Sequence, residues 1–197
     1  MNTLKAEKRS MDVKAKKLRR EGFVTGNLFG REIEGSIPLK FTKKEIEVLL
    51  KNNNKGSQVM LELDGKTYDA LIKEVDYNPL AHTVEEVDFQ ALVSNEMVHS
   101  TAEIILENEE KVMFGVLQDE LKEVAYKALP ADLVDKIKVD VAGMKIGDTL
   151  RVKDLEIAKN KNIHITTDPE AVVATVTPVH NVVPETETEA EETAEEK

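Results

Sequence analysis

The sequence has no cysteine and no tryptophan, and aromatic residues make up only 4% of its 197 residues. Without cysteine, disulfides, thiolate metal sites and cysteine nucleophiles are excluded together. A reducing compartment such as the cytoplasm is therefore the expected location. No apolar run approaches the ~18 residues that a membrane-spanning helix needs. No apolar segment follows the charged opening, so we expect neither a membrane partner nor a secretory signal.

The sequence also lacks the motifs of common active sites. It has no glycine-rich phosphate loop and no serine in a nucleophile-elbow motif. The histidines are scattered at positions 82, 99, 164 and 180, which disfavours a histidine metal site. The acidic pairs Glu85-Glu86 and Glu109-Glu110 are interpreted as solvated surface carboxylates. We therefore expect a non-enzymatic protein with no catalytic residues, cofactor, metal or small-molecule substrate.

Positive charge is concentrated near the start of an otherwise acidic chain. The formal net charge is −11, yet residues 1–22 hold eight Lys/Arg and three Asp/Glu. Most of these bases lie in residues 14–22, "KAKKLRREG". Residues 181–197 hold seven acids and one base, and their composition predicts a disordered acidic tail. This asymmetry indicates a polyanion-binding N-terminal end.

The apolar pattern predicts a mainly β protein with a few short helices. Val59, Leu61 and Leu63 alternate with polar residues before the tight-turn dipeptide Asp64-Gly65, which predicts a β-hairpin. Many short strands spaced about ten residues apart are typical of barrels or sandwiches. Further strands are predicted within residues 36–41, 83–93, 100–110, 111–120, 121–130, 138–144, 149–155, 162–167 and 171–179.

Three local signals refine this assignment. Thr42 and Glu45 have capping-box spacing and predict the start of a helix. Pro38 places its strand at an edge or an end. A short helical turn is predicted at residues 132–137. We predict two domains, residues 1–93 and 94–180, followed by the tail at 181–197.

The basic stretch has two interpretations. Lysine and arginine runs often belong to a solvated face with no partner. Here the bases are local in an acidic chain, and Arg19-Arg20 supply guanidinium groups that suit phosphate or a guanine edge. The following Gly22, Gly26 and Gly30 would let the backbone approach a ligand closely. A modest local charge favours a structured partner, and structured RNA is the preferred hypothesis.

The chain resembles the bacterial large-subunit ribosomal proteins that bind 5S ribosomal RNA, in the long two-domain form also called general stress protein Ctc. The resemblance covers residues 3–178. It rests on "LKAEKR", "KKLRREG", "VDYNP" and "VDFQ" in the first half. In the second half it rests on "ALPADLVDKIKVDVAGMKIGDTLRVKDL" and "TTDPEAVVATV".

The resemblance implies an N-terminal six-stranded β-barrel that binds 5S rRNA, and a second β-rich domain. It also implies a structural, monomeric component of the large ribosomal subunit. Lys16, Lys17 and Arg19 match the family's basic RNA-contacting block, Arg9 matches an early arginine, and Phe29 stands where tyrosine is usual. The full set of expected RNA-binding residues is Arg9, Lys14, Lys16, Lys17, Arg19, Arg20 and Phe29.

The chain departs from the family pattern at two acids. Asp76 stands in place of an amide and Glu86 in place of a histidine, and both would repel phosphate if they face RNA. A second hypothesis is therefore a diverged, stress-associated paralogue. It would act as an acidic protein-interaction module with weak or no 5S rRNA binding.

Overall fold

The computed structural model describes residues 3–112 and 115–178. The first half contains six strands and two α-helices. The strands are β1 (Thr3–Lys8), β2 (Phe23–Phe29), β3 (Ser36–Thr42), β4 (Gln58–Leu63), β5 (Lys66–Asn78) and β6 (Thr83–Ala91). The helices are α1 (Ala15–Arg20) and α2 (Lys43–Asn52).

The six strands form a closed barrel in the order β1-β3-β2-β6-β5-β4. Parallel pairing of β1 with β4 closes the barrel, and β2 and β6 form its other parallel pair. Alternate residues point inward, as the period of a strand requires. The interior is filled by aliphatic side chains around Phe41 and Phe89, whose ring centroids lie 5.4 Å apart. The predicted six-stranded barrel is confirmed.

Two local predictions in the barrel are confirmed. β4 and β5 pair as an antiparallel hairpin, and Asp64 and Gly65 form its turn with φ of 50° and 77°. Thr42 caps α2, accepting a hydrogen bond from the Glu45 backbone while the Glu45 carboxylate accepts one from the Thr42 backbone. The capping box fixes the start of α2, which packs Ile46 against the barrel core.

The prediction that Pro38 favours an edge or an end holds only in part, because Pro38 lies beyond the end of one ladder but not on an edge strand. β3 lies between β1 and β2, and Pro38 is its third residue. The Pro38 carbonyl accepts a hydrogen bond from the Arg9 backbone on the β1 side, and an N–H of the same residue would point that way too. The β1–β3 ladder ends at Leu39, so the missing N–H of proline leaves no ladder bond unmade.

The interpretation of Gly26 and Gly30 as ligand-approach positions was also wrong. A Cβ on Gly26 would lie 2.1 Å from the Val87 carbonyl oxygen, and one on Gly30 would lie 2.9 Å from Cβ of Ala91. Both glycines therefore let β2 approach β6 within the barrel wall. Gly22 has φ +88°, and a Cβ on it would meet nothing within 4 Å. It ends the turn after α1.

The second half forms a separate β-rich unit with two sheets. One has the order β10-β7-β9-β12 and the other β11-β13-β8. Their bounds are β7 (Val98–Glu107), β8 (Gly115–Asp119), β9 (Glu123–Ala128), β10 (Lys136–Asp140), β11 (Thr149–Arg151), β12 (His164–Ile165) and β13 (Val172–Pro178). Short 3-10 helices span Glu109–Lys111, Pro130–Asp132, Val152–Asp154 and Glu156–Lys159. The second β-rich domain is confirmed.

The helical turn predicted at residues 132–137 lies earlier, at Pro130–Asp132. Proline pre-sets the backbone angle of a first helical residue, so the turn begins there. From residue 136 the chain is already in β10, which pairs with β7. Leu133 and Val134 instead pack against the second core, around the buried Tyr126.

The two hydrophobic cores do not share residues. The barrel core includes residues from Leu4 to Phe89, and the second core includes residues from Ala102 to Ala174. This separation agrees with a boundary between them, although the limits 1–93 and 94–180 stay a prediction. The predicted disordered tail at 181–197 lies outside the described residues.

Candidate nucleic-acid interface

The basic stretch forms α1, a helix of six residues anchored by one buried leucine. Leu18 is 6% exposed and faces the barrel. At 100° per residue, Lys16 and Arg20 lie on the opposite side of α1, and both are exposed. Lys14 and Lys17 are exposed as well. We call Lys14, Lys16, Lys17 and Arg20 the basic strip.

Ion pairing within α1 leaves the basic strip largely available. Lys17 Nζ lies 3.9 Å from a Glu21 carboxylate oxygen, and both side chains are well exposed, so this pair contributes little. Cations in the last turn of a helix also interact favourably with its C-terminal carbonyls. Among the described residues, Lys14, Lys16 and Arg20 have no carboxylate within 4.0 Å.

Arg19 is held by two carboxylates, unlike the basic strip. Its Nε donates to the Glu85 carbonyl oxygen at 3.1 Å, one Nη lies 3.0 Å from the Glu85 carboxylate, and the other lies 3.3 Å from the Glu86 carboxylate. All of its guanidinium nitrogens are therefore engaged, and the side chain is 31% exposed. This arrangement fastens α1 to β6.

The surface next to α1 is acidic. Glu86 lies opposite Asp76 across the β5–β6 ladder. The Asn27 side chain donates to the carboxylates of both Glu86 and Asp88. Partial burial raises the pKa of Glu86, and the neighbouring Asp88 and Asp76 raise it further, while Arg19 and Arg9 act in the opposite direction. Of the two acids that depart from the family pattern, Glu86 thus binds Arg19 directly, and Asp76 lies opposite Glu86 on the neighbouring strand.

Arg9 supports the segment that leads into α1. One Nη donates to the Val13 carbonyl oxygen at 3.2 Å. Its Nε is buried and has no hydrogen-bond partner among residues 3–112 and 115–178. A buried donor without a partner is unfavourable for the folded state. Arg9 is half-buried, so it contributes less surface than the basic strip.

Phe29 lies apart from α1 on the barrel wall. It is the last residue of β2, directly paired with Ser36 and Gln90, and it is half-buried. Part of the Phe29 side chain is therefore accessible to solvent. The structure thus gathers Lys16, Lys17 and Arg20 on α1, with Lys14 at its N-cap. Arg19 holds α1 against β6, Arg9 contacts the segment before α1, and Phe29 lies at the end of β2.

The sequence interpretation missed the roles of Glu85 and Glu86. They are half-buried and hold Arg19, so they are more than solvated acids. Glu86 alternates with the buried Val87 and Phe89 along β6, and this was the available signal for it, whereas Glu85 lies where the β5–β6 register shifts. No signal at all linked them to Arg19, which is distant in sequence.

The described part of the chain contains no group of three His, Asp or Glu side chains that could hold a metal ion. Within the same ranges, no helix has the length and apolar character needed to cross a membrane.

Two family models together match almost the whole described chain. The Ribosomal L25p family model matches residues 4–89, which contain the barrel. The model for the C-terminal domain of ribosomal protein TL5 matches residues 97–180. The chain therefore combines two domain types of ribosomal proteins.

Curated relatives have the same full-length arrangement. The large ribosomal subunit protein bL25 of Bacillus velezensis is 31% identical over 183 residues, which are 90% of this chain and 89% of that protein. The bL25 protein of Carboxydothermus hydrogenoformans is 32% identical over 190 residues, covering 92% and 94%. The chain belongs to the bL25 family of bacterial ribosomal proteins, in its long form. This membership agrees with the expectation of a structural, non-enzymatic protein.

Proposed function

We propose that the chain is a cytoplasmic component of the large ribosomal subunit that binds 5S rRNA through the basic strip. The relatives are named as large-subunit proteins, which supports the assembly in which it acts. The observation that carries the proposal is the exposure of Lys16, Lys17 and Arg20 on one short helix and of Lys14 at its N-cap. Off the ribosome the chain is a monomer.

The side chains have different tasks in this proposal. Lys14, Lys16, Lys17 and Arg20 contact phosphate oxygens, which sets affinity and position without reading sequence. Arg19 and Arg9 hold α1 and its preceding segment in place. Phe29 offers a stacking face to an unpaired base.

The test is a titration of the full chain with 5S rRNA at two salt concentrations. Lys16→Gln/Arg20→Gln is expected to weaken binding about 10-fold or more, and to lower the slope of log affinity against log salt by about 2. Lys111→Gln/Lys145→Gln changes the charge equally in the second domain and is the control. Equal losses in both variants would contradict the role of the basic strip.

A second candidate function is favoured by one observation. Glu85 and Glu86 neutralise Arg19, and Asp76 adds negative charge beside them, so this barrel opposes RNA more than a purely basic one would. The alternative is a stress-associated, acidic protein-interaction module. Absence of 5S rRNA binding at low salt, with recovery in Glu86→His, would support it.

A further inference from the structure

A second group of basic side chains lies in a row across the first sheet of the second domain. His99 on β7 pairs directly with Lys127 on β9, and Lys127 pairs directly with His164 on β12. Directly paired residues project from the same face of a sheet, with Cβ atoms about 5 Å apart. His99 and His164 are exposed and Lys127 is half-buried. The fold thus aligns three basic side chains that are far apart in sequence.

The barrel adds two lysines at the end of this row. Lys73 Nζ donates to the His99 carbonyl oxygen at 2.8 Å. Lys55, Lys73 and His99 line a cleft of about 270 Å³ between the barrel and the second domain. We call Lys55, Lys73, His99, Lys127 and His164 the junction patch.

Three glutamates lie close to the junction patch. Lys55 lies 3.6 Å from the Glu123 carboxylate, and Glu74 is adjacent to Lys73 and also lines the cleft. Glu103 lies opposite Glu123 across β7 and β9, and its carboxylate accepts a hydrogen bond from the Asn54 side chain. Burial lowers the pKa of Lys73 and Lys55 lowers it further, while Glu74 acts in the opposite direction. Burial, Lys127 and Lys73 lower the pKa of His99. Positive charges therefore repel one another here.

We propose that the junction patch binds the phosphodiester backbone of an RNA segment, separately from the basic strip on α1. A bound phosphate would turn this mutual repulsion into attraction. A row of basic side chains matches the repeated phosphates of a nucleic acid backbone better than it matches one small anion. The positive charge of a lysine between two histidines disfavours binding of a metal ion. Membership of a ribosomal protein family makes RNA the polyanion to be expected around this surface.

The test uses the full chain with the basic strip neutralised, as Lys14→Gln/Lys16→Gln/Lys17→Gln/Arg20→Gln. Its binding to a fluorescent RNA duplex of about 16 base pairs is measured at low and moderate salt. Residual, salt-sensitive binding is expected. Adding Lys55→Gln/Lys127→Gln should weaken that binding about 10-fold and lower its salt slope by about 2.

Lys145→Gln/Lys161→Gln, at exposed positions elsewhere in the second domain, is the control with the same charge change. Unchanged thermal unfolding of both variants shows that the fold is kept. The proposal is overturned if the strip-neutralised chain does not bind the duplex at low salt, or if both pairs reduce binding equally. Equally tight binding of poly-glutamate would instead assign the patch to an acidic protein. The result is independent of whether the basic strip binds 5S rRNA.

Discussion

At the scale of single residues, the structure separates basic side chains that look equivalent in sequence. Arg19 and Arg20 are adjacent, yet Arg19 is held by Glu85 and Glu86 while Arg20 is exposed. The difference follows from helical geometry, because the chain turns about 100° between successive residues. Leu18 faces inward, so Arg19 lies at the border with β6 and Arg20 points away. Composition alone cannot make this distinction.

The ionisation of Glu86 is a direct test of this arrangement. Its pKa is raised by partial burial and by Asp88, so we expect a value above that of an ordinary glutamate. In the folded state Glu86 then binds its proton more tightly than in the unfolded chain. The free energy of unfolding should therefore fall as the pH rises through this pKa, because burying the charged form is unfavourable.

Two substitutions should move the pKa of Glu86 in opposite directions. Asp88→Asn removes a like charge and should lower it, and Arg19→Gln removes an opposite charge and should raise it. Side-chain carboxyl NMR measures both shifts, and Asp119→Asn, on the exposed β8, is the control. Shifts of the same sign in the first two variants would show that Glu86 does not lie between these groups.

At the scale of elements, strong local signals predicted structure well. The Asp64-Gly65 turn and the Thr42–Glu45 capping box each involve neighbours in sequence, and both lie where expected. Helix α1 is only six residues long, too short to show a helical period. Gly26 was misread, and Pro38 in part, because their positions are explained by β6 and β1, which are remote in sequence. Signals that depend on a partner strand cannot be read locally.

Gly26 tests how closely β2 and β6 pack. Gly26→Ala would place a Cβ 2.1 Å from the Val87 carbonyl and 3.3 Å from the Phe41 ring, so the barrel wall must open. We expect the substitution to destabilise the barrel by about 2 kcal/mol or more. Denaturant unfolding measures this, with barrel and second domain followed separately since unfolding need not be two-state.

Gly143→Ala is the matched control for Gly26→Ala. Neither glycine has a positive φ, and a Cβ on Gly143 would meet nothing within 4 Å. The control should change the free energy of unfolding by less than about 0.5 kcal/mol. A similar, small effect of both substitutions would mean that β2 does not approach β6 as closely as the structure indicates.

At the scale of the whole molecule, two β domains meet through polar contacts. Ser57 donates to the Asp135 carboxylate at 3.2 Å, and Asn54 donates to Glu103. Two domains were predicted from the regular spacing of short strands in the sequence. It could not predict this junction or the junction patch, since both combine residues that are tens of positions apart. The asymmetric distribution of charge along the chain likewise did not reveal that basic side chains cluster at two sites.

Gly56 should control how firmly the two domains are joined. It has φ +89°, and a Cβ at this position would lie 1.9 Å from the Thr101 carbonyl oxygen in the second domain. Gly56→Ala must therefore separate the domains locally or distort β7.

Gly65→Ala is the control, because Gly65 also has a positive φ, +77°, but a Cβ on it would meet nothing within 4 Å. Backbone strain of about 1–2 kcal/mol is common to both substitutions, so their difference reports the contact between the domains. We expect small-angle X-ray scattering to show a larger radius of gyration for Gly56→Ala alone. Equal scattering from the two variants would mean that Gly56 does not join the domains.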